Sequence, residues 1–253
     1  MADSLLEQTL AALDVEGALD QATEGFVPRQ AQLRMAEAVV AAIQSQGELI
    51  AEAGTGTGKT YAYLVPALLS NQRTIISTGT KALQDQLFHR DLPRVRQALG
   101  ARLRTALLKG RANYLCWYRL ERARSEGLFD SRETVAQLHA LHTWASASDS
   151  GDLSEASFLP EGSPLWPQVT STAENCLGTD CPFYQDCFVV KARQRAQEAD
   201  LVVVNHHLFF ADLWLKDEGV AELLPAANTI ILDEAHQLAD TAAQFFGETF
   251  STG

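Results

Sequence analysis

The glycine-rich segment at residues 53–60, Ala-Gly-Thr-Gly-Thr-Gly-Lys-Thr, restricts the fold of this chain more than any other feature. Its glycines let the backbone curl until several N–H groups point at one common anion. We predict a short buried strand at residues 48–53 before this segment and a helix at residues 58–69 after it. The positive N-terminal end of that helix adds to the attraction for an anion. Together these features predict a phosphate-binding loop between a strand and a helix.

The side chains that follow the glycines suit a nucleoside triphosphate. Lys59 can reach the β- and γ-phosphates, and the hydroxyl of Thr60 can ligate Mg²⁺. Ala53 stands where the strict form of the motif has glycine, which is a mild change. We therefore expect ATP to be held by the loop residues Ala53, Gly54, Thr55, Gly56, Thr57, Gly58, Lys59 and Thr60.

A second part of the same site is predicted far downstream. Residues 230–236 read Ile-Ile-Leu-Asp-Glu-Ala-His, which is an apolar strand ending in two adjacent acids. In P-loop enzymes the metal-holding aspartate lies at such a strand end. We expect Asp233 to hold Mg²⁺ directly or through water, Glu234 to position and deprotonate the attacking water, and His236 to sense the γ-phosphate. These four letters alone could cap a helix, but the phosphate-binding loop in the same chain favours the catalytic interpretation. The expected catalytic residues are Lys59, Asp233, Glu234 and His236.

The order of predicted elements indicates an α/β fold. Short apolar runs predict further strands at residues 73–77, 105–108, 201–205 and 229–232, and helical patterns lie between several of them. Strands that alternate with helices form a parallel sheet flanked by helices. This alternation stops between residues 109 and 199, where all four cysteines occur. We therefore predict an inserted domain at 109–199 between the two parts of an α/β domain at 1–108 and 200–253.

Four cysteines in the predicted insertion are candidate metal ligands. They are separated by gaps of 59, 4 and 5 residues, whereas zinc knuckles favour two-residue gaps in both ligand pairs. Wider spacing suits a larger iron–sulfur cluster, although zinc and unrelated buried thiols both remain open on spacing alone. The candidate ligands are Cys116, Cys176, Cys181 and Cys187.

Charge is distributed unevenly along the chain. The net charge is −12, but residues 94–124 contain nine lysines and arginines and a single acid, Glu121. This contrast predicts a confined electropositive surface that attracts phosphates, although a basic helix exposed to solvent gives the same pattern. No apolar run approaches the length of a membrane span, and no secretory signal is recognisable at the start. We expect a cytoplasmic protein without membrane contact.

The order of these motifs resembles the XPD/DinG-type superfamily 2 DNA helicases. The resemblance rests on residues 52–64, 77–87, 109–116, 175–178, 199–207 and 233–238, the third of which reads Lys-Gly-Arg-Ala-Asn-Tyr-Leu-Cys. It implies a RecA-like sheet (a P-loop NTPase) with an inserted, mainly helical iron–sulfur domain. The implied cofactors are ATP, Mg²⁺ and a [4Fe–4S] cluster held by the four cysteines. The implied activity is ATP-driven 5′-to-3′ translocation on single-stranded DNA in DNA repair.

The resemblance also implies roles for residues outside the two nucleotide motifs. Arg29 and Gln32 match an adenine-reading motif, and Phe26 would stack on the adenine base, although Gln32 could be an ordinary exposed helix residue. The residues that match DNA-contacting segments are Thr78, Thr80, Lys81, Arg111 and Arg119. Lys81 could instead be a solvated lysine, and the aromatic residues near Cys116 could equally form a core rather than stack on bases. The histidines of Asn205-His206-His207 suit a structural role near the nucleotide better than metal binding.

Such helicases close two RecA-like domains over one ATP, and we expect this chain to hold only the first. It would then bind ATP–Mg²⁺ and bind single-stranded DNA weakly, with little unwinding. The rival hypotheses are a stand-alone DNA-binding or redox-regulatory module, and a zinc-bearing ATPase unrelated to DNA.

Overall fold

The computed structural model describes residues 4–54, 56–126, 131–160, 162–219 and 222–247. Its contacts divide the chain into two compact units, one formed by Met1–Leu107 with Ala196–Gly253 and the other by Leu108–Arg195. That residues 109–199 form an iron–sulfur domain stays a prediction. Among the described residues, no helix combines the length and the apolar character needed to cross a membrane.

The first unit contains four strands and most of the helices. Its helices before the sheet are α1 (Leu5–Leu13), α2 (Ala18–Ala22), α3 (Gln30–Ser45) and α4 (Lys59–Leu69). Strand β1 (Thr74–Thr78) leads into α5 (Lys81–Gln86), a π-helical turn (Leu87–Asp91), α6 (Leu92–Ala98) and β2 (Thr105–Leu107). The returning part of the chain adds β3 (Leu201–Asn205), α11 (His206–Asp217), β4 (Thr229–Leu232) and α12 (Leu238–Phe246).

The four strands form one parallel sheet in the order β2-β3-β1-β4. Ser77 of β1 lies opposite Val204 of β3 on one side and Leu232 of β4 on the other. The carboxyl ends of parallel strands meet at one edge of a sheet, where open α/β sheets bind their ligands. This register therefore places Thr78, Asn205 and Asp233 along the same edge. A parallel sheet flanked by helices is confirmed.

Helix α4 is anchored in the core of the first unit. Its residues 62–68 are all buried, and Leu64 and Leu68 are among the largest fully buried side chains. They pack with Leu13 of α1 and Ile76 of β1 in one hydrophobic cluster. Because α4 starts at Lys59, this burial fixes the end of the glycine loop relative to the sheet.

The predicted strand at residues 48–53 is wrong. The structure gives this segment no regular secondary structure, and Ile50 is fully exposed while Leu49 is 40% exposed. Leu49 and Ile50 are its only large apolar side chains, and acids or alanines surround them, so a strand here would bury little apolar surface. The helix predicted at residues 58–69 does form as α4, and it follows an irregular segment instead of a strand.

The second unit consists of short helices and turns. Its helices are α7 (Trp117–Glu126), α8 (Arg132–Ala147), α9 (Trp166–Val169) and α10 (Phe188–Glu198), the last of which extends beyond the unit boundary. Single 3₁₀ turns occur at Arg111–Asn113, Leu153–Glu155, Gly178–Asp180 and Tyr184–Asp186. Leu115 donates its backbone N–H to Gly151 at 2.8 Å, and Cys116 donates to Val169 at 2.8 Å. The segment around Cys116 is therefore tied to two distant parts of its unit.

A buried ion pair holds the start of the second unit. Lys109 Nζ lies 2.6 Å from Asp152 Oδ2, and the two side chains are only 2% and 4% exposed. Lys109 Nζ also contacts Ser154 Oγ at 3.1 Å, while Asp152 Oδ1 accepts hydrogen bonds from the N–H and the hydroxyl of Ser154. The hydroxyl of Tyr114 accepts a hydrogen bond from the N–H of Lys109, and burial raises the pKa of Tyr114 above its usual range. Both charges are therefore compensated inside the unit.

Removing one partner of this pair is expected to destabilise the second unit. Asp152→Ala leaves a buried ammonium uncompensated, which costs about 3–5 kcal/mol of unfolding free energy. Urea unfolding followed by tryptophan fluorescence measures this, since Trp117, Trp144 and Trp166 all lie in that unit. Asp149→Ala is the matched control, because the structure exposes Asp149. Equal losses of unfolding free energy in the two variants would contradict the prediction. The double variant Lys109→Met/Asp152→Leu removes both charges and should therefore recover most of the stability.

Candidate functional site

The glycine loop has the backbone conformation that its sequence predicts. Gly56 and Gly58 have φ values of +75° and +86°, which residues with a Cβ rarely adopt. A Cβ on Gly58 would lie 2.2 Å from Nε2 of Gln32, so glycine is required there for close packing as well. Thr57 Oγ1 donates a hydrogen bond to the carbonyl of Gly54 at 2.8 Å, which closes the turn. Thr55 lies outside the described residues.

Helix α3 supports the loop from the other side. Gln32 is only 3% exposed, and its Nε2 donates a hydrogen bond to the carbonyl of Gly58 at 3.1 Å. Gln32 is therefore not an exposed helix residue. Arg29 is exposed, and its Nη1 would lie 3.7 Å from a Cβ on Gly56, so its guanidinium is close to the loop. The rings of Phe26 and Tyr61 lie 6.0 Å apart beside them.

The structure brings the glycine loop and the downstream acidic residues together. Lys59 Nζ lies 3.7 Å from Glu234 Oε1, and Glu234 Oε2 lies 3.4 Å from Nδ1 of His236. The Lys59 and Glu234 side chains are 29% and 28% exposed, so both remain accessible to a ligand. Glu234 itself has φ +56° and ψ +43°, which is uncommon for a residue with a side chain.

Tyr63, which the sequence did not identify as a site residue, contacts the predicted metal-binding aspartate Asp233. Its hydroxyl donates a hydrogen bond to Asp233 Oδ2 at 3.0 Å, and the other carboxylate oxygen accepts the N–H of Glu234 at 3.0 Å. Burial, followed by the charge of Asp233, raises the pKa of Tyr63 well above its usual value, so the phenol stays protonated as a donor. The tyrosine occurs one helical turn after Lys59, but nothing in the sequence distinguishes it from a core residue.

The candidate DNA-contacting residues at the end of β1 differ in their exposure to solvent. Thr78 is only 1% exposed, and its hydroxyl donates to the carbonyl of Thr80 at 3.3 Å. Thr80 is exposed and caps α5, since its Oγ1 accepts the N–H of Leu83 at 3.2 Å. Lys81 is the first residue of α5 and is also exposed. Thr80 and Lys81 can therefore reach an external phosphate with their side chains, whereas Thr78 cannot.

The four cysteines are free, partly exposed thiols of the second unit. Arg111 Nη1 donates to Cys176 Sγ at 2.9 Å, and the N–H of Gly178 donates to the same sulfur at 3.4 Å. Burial raises the pKa of the Cys116 thiol, and nearby Cys187 and Cys181 raise it further. Among the described residues, no group of three or more His, Cys, Asp or Glu side chains is close enough to hold a single metal ion.

The arginines predicted to contact DNA have different surroundings in the second unit. Arg111 is directed at Cys176, whereas Arg119 lines a surface cavity of about 180 Å³ together with Arg122 and Gln168. Arg122 and Arg124 pair with acids of their own helix, at 2.8 Å to Glu126 and 2.9 Å to Glu121.

Two of the aromatic residues near Cys116 contribute to the core of the second unit. Tyr114 is 3% exposed, and the ring of Trp117 stacks on that of Phe188 with centroids 5.9 Å apart. These contacts favour the core interpretation of the two residues over base stacking.

Residues 33–153 of the chain match the DEAD/DEAH box helicase family. The chain is 54% identical over 238 residues to the ATP-dependent DNA helicase YoaA of Haemophilus influenzae, a match that covers 94% of this chain and 37% of the relative. It is 53% identical over 237 residues to the ATP-dependent DNA helicase YoaA of Escherichia coli, a match that also covers 94% of this chain and 37% of the relative. An ATP-dependent helicase DinG of Mycobacterium tuberculosis is 40% identical over 248 residues, with 88% of this chain and 36% of the relative covered.

These similarities confirm the resemblance to DinG-type helicases. The chain spans little more than a third of the length of these relatives. The family match ends at residue 153, so the acidic residues at 233–236 lie outside it. Their connection to the loop rests on the distances given above.

Proposed function

We propose that this chain binds ATP–Mg²⁺ between its glycine loop and residues 233–236, and that ATP hydrolysis there serves a DNA helicase. The main observation in support is that Lys59 Nζ lies 3.7 Å from Glu234 Oε1, although the two motifs are far apart in the sequence. An ammonium and a carboxylate that face each other at an accessible position provide charges of both signs for a metal-bound triphosphate. The family match and the relatives named ATP-dependent DNA helicase support the same proposal.

Each side chain of the site has a defined task in this proposal. Lys59 binds the β- and γ-phosphates and gives up its contact with Glu234 when they enter. Glu234 then orients and deprotonates the attacking water, and His236, 3.4 Å from Glu234, senses the γ-phosphate. Thr60 and Asp233 would hold Mg²⁺, which when bound neutralises charge on the phosphate oxygens. Tyr63 keeps Asp233 oriented through its 3.0 Å hydrogen bond.

The remaining loop and α3 residues would bind the rest of the nucleotide. The N–H groups of residues 53–60, including Ala53, Gly54, Thr55, Gly56 and Thr57, surround the phosphates. Arg29 and Gln32 read the adenine and Phe26 stacks on it. The contact between Gln32 and the carbonyl of Gly58 would connect adenine recognition to the shape of the loop.

Single-stranded DNA is the proposed nucleic-acid partner. Thr80 and Lys81 contact its backbone with exposed side chains, and Thr78 supports them by its bond to the carbonyl of Thr80. Arg119, beside a surface cavity, and Arg111 provide positive charge along the strand. The 5′-to-3′ direction and a role in DNA repair in the cytoplasm rest on the resemblance to XPD/DinG-type helicases.

Cys116, Cys176, Cys181 and Cys187 are the proposed ligands of a [4Fe–4S] cluster. The donor set fits such a cluster, since four free thiols occur in one unit and the sulfur of Cys176 accepts two hydrogen bonds, one of them from a guanidinium. Ligands of one tetrahedral zinc lie about 3.8 Å apart, as Zn–S bonds of about 2.3 Å require. A cluster keeps its ligands further apart because each binds a different iron. When bound, the cluster would supply a rigid covalent link between these segments.

The DNA part of the proposal predicts a change in salt dependence. Arg119→Ala and Lys81→Ala should each weaken binding of a labelled oligothymidine by this chain. Each should also lower the slope of log affinity against log salt by about 0.7, because one phosphate contact is lost. Fluorescence anisotropy from low to moderate salt measures both quantities. Arg34→Ala, which removes an exposed arginine of α3, is the control. Slopes equal to that of Arg34→Ala would contradict the assignment of these two residues.

A further inference from the structure

A buried hydrogen bond lies beneath the proposed nucleotide site. Ser77 Oγ and His206 Nδ1 are 2.7 Å apart, and the two residues are 0% and 1% exposed. Ser77 belongs to β1, and His206 is the first residue of α11, directly after β3. The sequence marks His206 only as part of Asn205-His206-His207, and the proposed function gives it no role.

Ser77 also contacts the segment that carries the predicted metal ligand. The carbonyl of Ser77 accepts the N–H of Asp233 at 2.8 Å. The other ring nitrogen of His206, Nε2, is buried and has no hydrogen-bond partner among the described residues. The His206 ring is therefore held through Nδ1 by the same serine that binds the backbone of Asp233.

The backbone after β4 needs such support. Glu234 adopts the left-handed region at φ +56°, which a residue with a side chain rarely occupies unless surrounding groups compensate. Its N–H is held by Asp233 Oδ1 at 3.0 Å. Conformations of this kind persist where surrounding groups fix them, and they cluster at functional sites.

We propose that His206 is a positioning residue: through its hydrogen bond to Ser77, whose carbonyl holds the N–H of Asp233, it sets the direction in which Asp233 and Glu234 face Lys59. This inference rests on the proposed function, since it concerns the same magnesium–nucleotide site. His206 touches neither metal nor nucleotide in this arrangement. It acts by fixing the turn that presents Asp233 and Glu234, as groups behind metal ligands commonly do.

The test compares the affinity for a fluorescent ATP analogue with Mg²⁺ and with EDTA. His206→Ala is expected to weaken binding in Mg²⁺ by about 10-fold or more, the range for residues that orient metal ligands. The affinity in EDTA should stay near that of the unchanged chain, because the glycine loop is intact. His206→Asn, whose amide can occupy the Nδ1 position and keep the bond to Ser77, should restore much of the loss. His207→Ala is the matched control, because His207 is exposed beside it on α11 and its ring faces Phe245.

Each outcome separates the positioning role from a merely structural one. A core histidine without this role would give His206→Ala a lower melting temperature and equal losses in Mg²⁺ and EDTA, and that result would overturn the inference. If His206→Ala does not fold, Ser77→Ala removes only the hydroxyl and should show the same magnesium-specific loss, whose absence would also overturn it. If the unchanged chain has no magnesium-dependent affinity, the proposed function fails and the inference falls with it. Wild-type magnesium dependence in His206→Ala and Ser77→Ala defeats the inference alone.

Discussion

Lys59→Ala is expected to abolish the magnesium-dependent affinity of this chain for ATP. The ammonium group lies 3.7 Å from Glu234 Oε1 at the start of α4, where the phosphates would enter. A charged hydrogen bond contributes about 1.5–3 kcal/mol, and a lysine that contacts two phosphates contributes more than one of them. The affinity for ATP–Mg²⁺ should therefore fall by about 100-fold or more. Titration calorimetry at fixed Mg²⁺, repeated in EDTA, measures the loss.

Two controls restrict the interpretation of that loss. Arg34→Ala removes a cation from the exposed face of α3 and should leave the affinity unchanged. Lys59→Arg keeps the charge but replaces a compact ammonium by a planar group that fits the loop poorly, so it should resemble Lys59→Ala more than the unchanged chain. Equal affinities for ATP–Mg²⁺ in the Lys59→Ala variant and the unchanged chain would refute the proposed nucleotide site.

The sheet was largely predictable because its strands are short, mostly apolar runs. Residues 201–205 and 229–232 form strands where the sequence predicts them, since short blocks of β-branched side chains favour strands. Residues 48–53 contain only two large apolar side chains, and whether such a segment pairs depends on tertiary contacts that the sequence does not reveal. The phosphate-binding loop was predictable without that strand, because its glycines and Lys59 carry the signal locally.

The groups that orient the site were not predictable in the same way. Tyr63 contacts Asp233, and Ser77 contacts His206, only because of how the elements pack and how the strands are aligned. The register that sets Ser77 opposite Val204 and Leu232 is a property of the sheet as a whole. Motif residues are recognisable from their order, whereas their supporting residues look like ordinary core positions.

The cysteines illustrate a different limit of sequence reasoning. Their spacing indicates a metal site but leaves zinc, iron–sulfur and free thiols open. The structure adds chemical surroundings: Arg111 lies 2.9 Å from Cys176 Sγ, and the raised pKa of the Cys116 thiol reflects burial together with the neighbouring Cys187 and Cys181. A metal bound to these sulfurs would have to overcome that preference of Cys116 for its protonated form, because metals bind thiolates.

Cys176→Ser is expected to remove the proposed cluster. The chain purified without oxygen should absorb at about 400 nm and contain about four irons, as thiolate-held [4Fe–4S] clusters do. Serine keeps the size of the side chain but loses the thiolate ligand, and the hydrogen bond from Arg111 to the sulfur is lost with it. We expect the absorbance and most of the iron to disappear together. The same loss should follow substitution of Cys116, Cys181 or Cys187 by serine.

Metal analysis decides between the alternatives for this site. Lys59→Ala is the control, since it lies in the other unit and should keep full iron content and absorbance. Bound zinc without visible absorbance would refute the cluster while keeping the cysteines as ligands. A protein free of metal after anaerobic purification would refute both, and the thiols would then be ordinary partly buried cysteines. Loss of iron in Cys176→Ser but not in Cys116→Ser would remove Cys116 from the ligand set, because a true ligand cannot be replaced without weakening the cluster.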